Sequence, residues 1–155
     1  MPPNYLPLIS ALISVVISAA VSSAIAFFTG KKNRRQYIDH SVDKAIDFSI
    51  AYPYLEDDSF CASYRTPDAT DEEGQRYDNY CCFVFNTIES AWELCGGNEE
   101  KINDIVYADE LVVRHRVWWE SSAENVSGYK PGFRQFVDNI LKKDFEMKRD
   151  DSGPA

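Results

Sequence analysis

Residues 70–97, TDEEGQRYDNYCCFVFNTIESAWELCGG, decide the fold class because they hold one amphipathic helix with its start and stop signals. Thr70 and Glu73 have the spacing of a capping box, and Asp71 is the alternative N-cap. Gly96 and Gly97 are typical of a helix end. The apolar positions recur in steps of four and three, which places them on one helix face; they are Tyr77, Cys81, Val84, Ile88, Trp92 and Cys95.

The flanking sequence predicts further helices of the same amphipathic kind. One covers the periodic residues 37–49 and ends at Tyr52-Pro53, because the residue before a proline avoids the helical region. Residues 56–71 are polar and predict a loop. Asn98 is a candidate cap for a stretch reaching about Ser121, with a possible kink near 108–111, and Pro131 fits the first turn of a last helix.

An uncharged N-terminal stretch, YLPLISALISVVISAAVSSAIAFF at residues 5–28, predicts a transmembrane helix. A cleaved signal peptide is the alternative, since Ala24-Ile25-Ala26 resembles a cleavage site; the absence of basic residues before the stretch argues against it. The basic residues that follow predict a cytoplasmic C-terminal domain by the positive-inside rule; they are Lys31, Lys32, Arg34 and Arg35.

The fold expected from these elements is all-α. One N-terminal transmembrane helix would be followed by a small antiparallel bundle of about four helices. The expected domains are an anchor at 1–30, a cytoplasmic helical domain at 31–148 and a flexible tail at 149–155. The location that follows is an inner (plasma) membrane, with the N-terminus outside. Whether the membrane helix continues into the first cytoplasmic helix stays open, since Gly30 is the only helix breaker there.

A row of serines marks one face of the N-terminal segment: Ser10, Ser14, Ser18 and Ser22. Small residues at four-residue spacing let two helices approach closely, which favours self-association or docking of a membrane protein partner. The alternative is that the hydroxyls only bond to carbonyls of their own helix.

Charge excludes one class of partner. The chain carries 25 acidic and 16 basic residues, a net charge of −9, and 12 of the basic residues lie after position 36. A body this acidic is repelled by nucleic acid, so we expect no nucleic-acid partner. Cys61, Cys81, Cys82 and Cys95 lack the spacing of metal ligands. In a reducing compartment they are expected to be free thiols, whereas a secreted domain would favour disulfides.

The order of elements, with the stretches RYDNYCCFVFNTIESAWELCGG, VVRHRVWWE and GYKPGFRQFVDNIL, resembles a group of bacterial membrane-anchored helical proteins known as a domain of unknown function. In that group the second helix carries an Asn-x-x-Glu pattern, matched here by Asn86 and Glu89. A closing Phe-x-x-Phe segment is matched by Phe133 and Phe136. The resemblance implies the helical fold and brings no activity with it.

Residues with catalytic potential are sparse. His40 is expected on a helix surface, and His115 lies between two arginines, which disfavours a metal ligand. A Cys95–His115 nucleophile pair would need the fold to bring the two together. Carboxylates on facing helices could hold a metal, but a solvated acidic face is the simpler interpretation; they are Glu89, Glu93, Asp109 and Glu110. We therefore predict no catalytic residues, no metal and no cofactor.

Two sets of residues remain as candidate sites. Asn86, Glu89, Arg114 and Arg116 are interpreted as a buried polar network, with a ligand site as the alternative. Trp118 and Trp119 could form the centre of a partner surface or anchor the core. The expected function is a non-enzymatic, membrane-anchored interaction or scaffold module, and the alternative is a small membrane effector or sensor of a stress or anti-phage response. A hydrolase or metal enzyme is a third, disfavoured class.

Overall fold

The computed structural model describes residues 6–68, 70–121 and 123–151, and for residues 6–17, 123, 124, 150 and 151 it describes the backbone alone. Within these ranges the chain is all-helical, which confirms the predicted fold class. The elements are α1 (Leu6–Ala51), a 3₁₀ helix (Pro53–Glu56), α2 (Asp58–Ala62), α3 (Glu72–Cys95), α4 (Glu99–Val106), α5 (Ala108–Arg114), α6 (Arg116–Ser121), α7 (Ala123–Ser127) and α8 (Pro131–Asp151). Two compact units are distinguished, residues 1–36 and residues 37–155.

Helix α3 is the central element of the second unit, and it begins at the alternative cap, Asp71, rather than at the predicted capping box of Thr70 and Glu73. Asp71 caps it by accepting a hydrogen bond from the backbone N–H of Gly74 at 2.8 Å. Gly96 ends it with φ +61°, a left-handed conformation that costs glycine little. One face of α3 is buried along its whole length, so this helix anchors the core around which the shorter helices pack.

The aromatic core joins α3 to the C-terminal helices. The Phe85 ring is stacked against Trp118 and Trp119, with ring centroids 5.2 and 4.7 Å away. Phe133 of α8 is fully buried and its ring lies edge-on to Trp119. Such ring pairs contribute about 0.5–1.5 kcal/mol each beyond the area that they bury.

The structure departs from the predicted four-helix bundle in three places. Residues 56–71 were expected to form a loop, yet Pro53–Glu56 is a 3₁₀ helix and Asp58–Ala62 is an α-helix, with Leu55 and Cys61 buried. The predicted stretch 98–121 is divided into α4, α5 and α6, with breaks at Tyr107 and His115. The tail expected from residue 149 instead begins within α8, which reaches Asp151.

The predicted membrane span over residues 5–28 is wrong, because no helix in the described part of the chain is both long and apolar enough to cross a bilayer. A spanning helix needs about 20 apolar residues. The predicted inner-membrane location, with its N-terminus outside and a cytoplasmic domain, is corrected with it.

Candidate functional site

The predicted polar network is not assembled from its four members. Asn86 is exposed, and the Glu89 carboxylate accepts a hydrogen bond from the backbone N–H of Lys130 at 2.9 Å. Arg116 pairs with Glu120 along its own helix at 3.6 Å. Arg114 alone reaches a largely buried carboxylate, that of Glu56, so the polar centre of the fold lies elsewhere than predicted.

Trp118 and Trp119 belong to the core. Trp118 is fully buried and Trp119 is 5% exposed. The Trp118 indole N–H donates to the Asp78 carboxylate at 2.8 Å, which satisfies its single donor. Neither side chain is therefore available to a partner at the surface.

The residues of the predicted association face and basic stop lie on α1. Ser18 and Ser22 are exposed, while the side chains of Ser10 and Ser14 lie outside the described part of the structure. Lys31, Lys32, Arg34 and Arg35 are all exposed. The Lys31 ammonium lies over the Phe27 ring, 4.8 Å from its centroid, and forms a cation–π contact within α1.

A buried polar cluster surrounds His115, and we call its members the His115 cluster: Glu56, Cys61, Tyr77, Tyr80, Arg114 and His115. The cluster forms where the 3₁₀ helix, α2 and the junction of α5 and α6 pack against the long helix α3. The 3₁₀ helix supplies Glu56 and α2 supplies Cys61, while α3 offers Tyr77 and Tyr80 from one face. His115 lies between α5 and α6, and its ring is fully buried.

The imidazole of His115 is fully buried, and its two ring nitrogens have different neighbours. Nδ1 lies 3.0 Å from the Tyr77 hydroxyl and 3.8 Å from the Cys61 sulfur. Nε2 lies 3.5 Å from the nearer Glu56 oxygen, longer than a good N–H···O hydrogen bond, and it has no hydrogen-bond partner among the described residues. Nδ1 is thus held by Tyr77, and Nε2 has only an electrostatic contact with Glu56.

Glu56 is the charged centre of the cluster. Burial raises the pKa of its carboxyl group, but the neighbouring side chains of His115, Tyr80 and Arg114 outweigh burial and lower the pKa to about 2. The Tyr80 hydroxyl donates to one carboxylate oxygen and the Arg114 guanidinium to the other. Glu56 is therefore a carboxylate at neutral pH, and it fixes the positions of a tyrosine and an arginine.

The arrangement of Cys61, His115 and Glu56 has the composition of a nucleophilic triad, although the cysteine differs from the predicted Cys95. Its geometry and electrostatics oppose that role. Cys61 is 1% exposed and its S–H donates to the Leu55 carbonyl at 3.4 Å. Burial raises the pKa of its thiol, which keeps it protonated at neutral pH. A reactive cysteine needs access and a lowered pKa, so this cluster is a structural network.

The other thiols and carboxylates do not form a reactive centre in the described structure. All four cysteines are free; Cys81 is buried, while Cys82 and Cys95 are half-buried. The described residues contain no group of three or more His, Cys, Asp or Glu side chains that could hold a metal. Glu93 pairs with Lys130, and Asp109 accepts a hydrogen bond from Asn103.

A cavity of about 380 Å³ borders the His115 cluster within the second unit. Its walls come from the C-terminal part of α1, from α3 and from α5, and are mostly apolar. Glu56, Tyr80, Tyr107, Glu110 and Arg114 supply charged and polar groups to its lining. An apolar cavity with a few convergent polar groups is the usual form of a small-molecule site.

Sequence reasoning missed this cluster because its members are spread over 60 positions and two of them lie in the segment read as a loop. A local signal existed: the LEDDSFC stretch places an N-cap aspartate, Asp57, ahead of Phe60 and Cys61. The acidic residues of this segment led to the loop prediction, although the segment forms the short helix α2 and buries Cys61.

Comparison with known proteins adds no relatives: no family model matches the chain, and neither the curated proteins nor the solved structures contain a match.

Proposed function

We propose that this chain is a protein-interaction module that docks α1 into an apolar groove with an acidic rim on a partner protein. The observation that carries the proposal is the α1 stripe, which we define as Val21, Ile25, Phe28, Lys32 and Arg35. These residues follow one another at spacings of four, three, four and three, so they share one helix face. All five side chains are exposed.

The apolar part of the stripe gives the reason to bind. Val21 is 53%, Ile25 is 61% and Phe28 is 69% exposed. Full burial of such a side chain is worth about 1.5–3 kcal/mol, and contiguous exposed apolar surface marks interaction sites. An amphipathic helix that places residues at i, i+4 and i+7 in a groove is a recurring recognition mode.

The basic part of the stripe selects the partner. Lys32 and Arg35 extend the apolar row by two further positions, whereas residues 37–155 carry 25 acidic and 12 basic residues. An acidic partner is repelled by this body and attracted only by the basic segment, so charge directs docking to α1. Complementarity therefore requires carboxylates at the rim of the partner's groove.

The test uses neighbouring aromatic residues of the full-length protein as a matched pair. A photocrosslinking amino acid replaces Phe28 on the stripe or Phe27, which lies about 100° further around the helix and is already in contact with Lys31. We expect a protein adduct from position 28 and little from position 27. The paired charge reversals Lys32→Glu and Arg35→Glu should remove the adduct.

Two outcomes contradict the proposal. Equal crosslinking from positions 27 and 28 would show that contact is not confined to the stripe. An adduct made of two copies of this chain would replace the acidic-rimmed partner with self-association. The adduct yields at positions 27 and 28 test the first outcome, and mass spectrometry of the adduct tests the second.

A further inference from the structure

We propose that the cavity beside the His115 cluster binds an organic ammonium ion with an apolar body. This inference is independent of the α1 stripe and concerns a separate function, the recognition of a small molecule. At about 380 Å³ the cavity lies near the lower end of the roughly 300–1,000 Å³ typical of small-molecule sites. It therefore suits a ligand of modest size.

The walls set the apolar part of the ligand. Side chains from three helices line the space, including Val42 and Ala45 of α1, Val84 and Ile88 of α3 and Leu111 of α5. Thr87 also lines the cavity. Its hydroxyl donates to the Phe83 carbonyl at 2.9 Å and so needs no hydrogen-bond partner from a ligand. A hydrocarbon chain or ring can fill this part without leaving a polar wall group unpaired.

The charge of the polar side sets the sign of the ligand. Glu56, Glu110 and Arg114 are the charged residues of the lining, and Asp58 lies 3.4 Å from the guanidinium. One arginine is thus surrounded by three carboxylates, and the local balance is negative. An anionic head would displace Arg114 from these partners, whereas an ammonium group would add a cation where one is lacking.

Glu110 is the carboxylate that can accept a further hydrogen bond from a ligand. Its Oε1 accepts from Arg114 at 2.8 Å, and 64% of its side chain is exposed. Both oxygens of Glu56, by contrast, already accept from Tyr80 and Arg114. A ligand ammonium group would therefore bind next to Glu110.

Tyr107 supplies a second feature that suits a cation. It lines the cavity, and its side chain is 73% exposed although it is a large aromatic residue. An aromatic ring beside a carboxylate is a common environment for an ammonium group, because the ring face attracts positive charge. The ring of Tyr107 would cover a ligand bound next to Glu110.

The experiment titrates the full-length protein with three probes of equal chain length: hexylammonium, 1-hexanol and hexanoate, followed by saturation-transfer NMR and chemical-shift changes. We expect hexylammonium to bind at least about 10-fold more tightly than hexanoate, with 1-hexanol between them, and its affinity to fall with added salt. Equal binding of hexylammonium and hexanoate overturns the inference.

Variants connect the binding to the cavity. Glu110→Gln should weaken hexylammonium binding about 3- to 10-fold, while Glu100→Gln makes the same charge change at an exposed residue outside the cavity and should leave it unchanged. Ala45→Phe should block the space, and Ile46→Trp should do so from a half-exposed position if the first variant fails to fold. Binding that survives both filling variants, or that Glu100→Gln weakens as much as Glu110→Gln, shows non-specific attraction to an acidic surface and overturns the proposal.

Discussion

The hydroxyl of Tyr77 lies 3.0 Å from Nδ1 of His115, and both side chains are fully buried. This contact joins α3 to the break between α5 and α6. It pairs two polar groups in an interior where each would be costly alone. The contact therefore stabilises the packing of α3 against the junction between α5 and α6.

Replacing Tyr77 with Phe should lower the free energy of unfolding by about 1–3 kcal/mol, because the buried Nδ1 of His115 then keeps only its weak contact with the Cys61 sulfur at 3.8 Å. Urea denaturation followed by tryptophan fluorescence measures the change. Tyr107→Phe removes the same atom from an exposed side chain and should be nearly neutral. If the two variants have the same midpoint, the buried contact contributes nothing.

Glu56 gives the fold a defined dependence on pH. Its pKa in the folded protein is lowered to about 2 from an ordinary value near 4.5. A lowered carboxyl pKa means that the stabilisation is complete above about pH 4.5 and is lost as the pH falls toward 2. A pKa lowered from 4.5 to about 2 corresponds to about 3.4 kcal/mol, and because solvent partly screens this incompletely buried carboxylate, Glu56 contributes roughly 2–3 kcal/mol at neutral pH.

The measurement is the stability difference between wild type and Glu56→Gln at several pH values. The difference should be largest between pH 5 and 7 and should shrink as the pH approaches 2. Glu100→Gln serves as the exposed control and should give a small difference throughout. A Glu56→Gln effect that does not change with pH would show that the charge of Glu56 is not what stabilises the fold.

The four thiols should fall into two reactivity classes under native conditions. Cys61 and Cys81 are buried, and burial raises the pKa of both thiols, whereas Cys82 and Cys95 are partly exposed. We expect alkylation by iodoacetamide to be at least about 100-fold slower at Cys61 and Cys81, since both require an opening of the core. Peptide mass spectrometry over time measures the four rates, and urea should equalise them. Early labelling of Cys61 would mean that the His115 cluster is open to solvent.

Elements with local signals were predictable from the sequence. The periodicity of α3, its cap at Asp71 and its end at Gly96 all act within a few residues, as does the cap formed by Asn98, whose side chain accepts from the N–H of Lys101 at 3.0 Å. Pro131 at the first position of α8 is another local signal of this type. Capping and helix periodicity depend on neighbours in the chain, so they can be read without the fold.

The His115 cluster could not be predicted in this way, because nothing local connects Glu56 to Arg114 or His115. The sequence shows His115 only as a histidine between two arginines, and the fold is needed to show that its ring is fully buried while Arg114 reaches Glu56. The membrane prediction rested on the composition of residues 5–28, and none of the described helices is long and apolar enough to cross a bilayer.

Tyr107 separates α4 from α5 with φ +48° and ψ +48°, a conformation that non-glycine residues rarely adopt. The strain costs roughly 1–2 kcal/mol, and because 73% of the side chain is exposed, its burial repays little of that cost. Tyr107→Gly removes the strain but adds conformational freedom to the unfolded chain, which costs about 0.4–1 kcal/mol. We therefore expect the variant to be more stable than wild type by about 0.5–1 kcal/mol, measured as a higher urea midpoint with an unchanged slope. The same variant should bind hexylammonium less tightly, since the ring beside Glu110 is gone. Greater stability together with weaker binding is the result expected of a residue kept for recognition. A less stable variant would show instead that the ring of Tyr107 supports the turn.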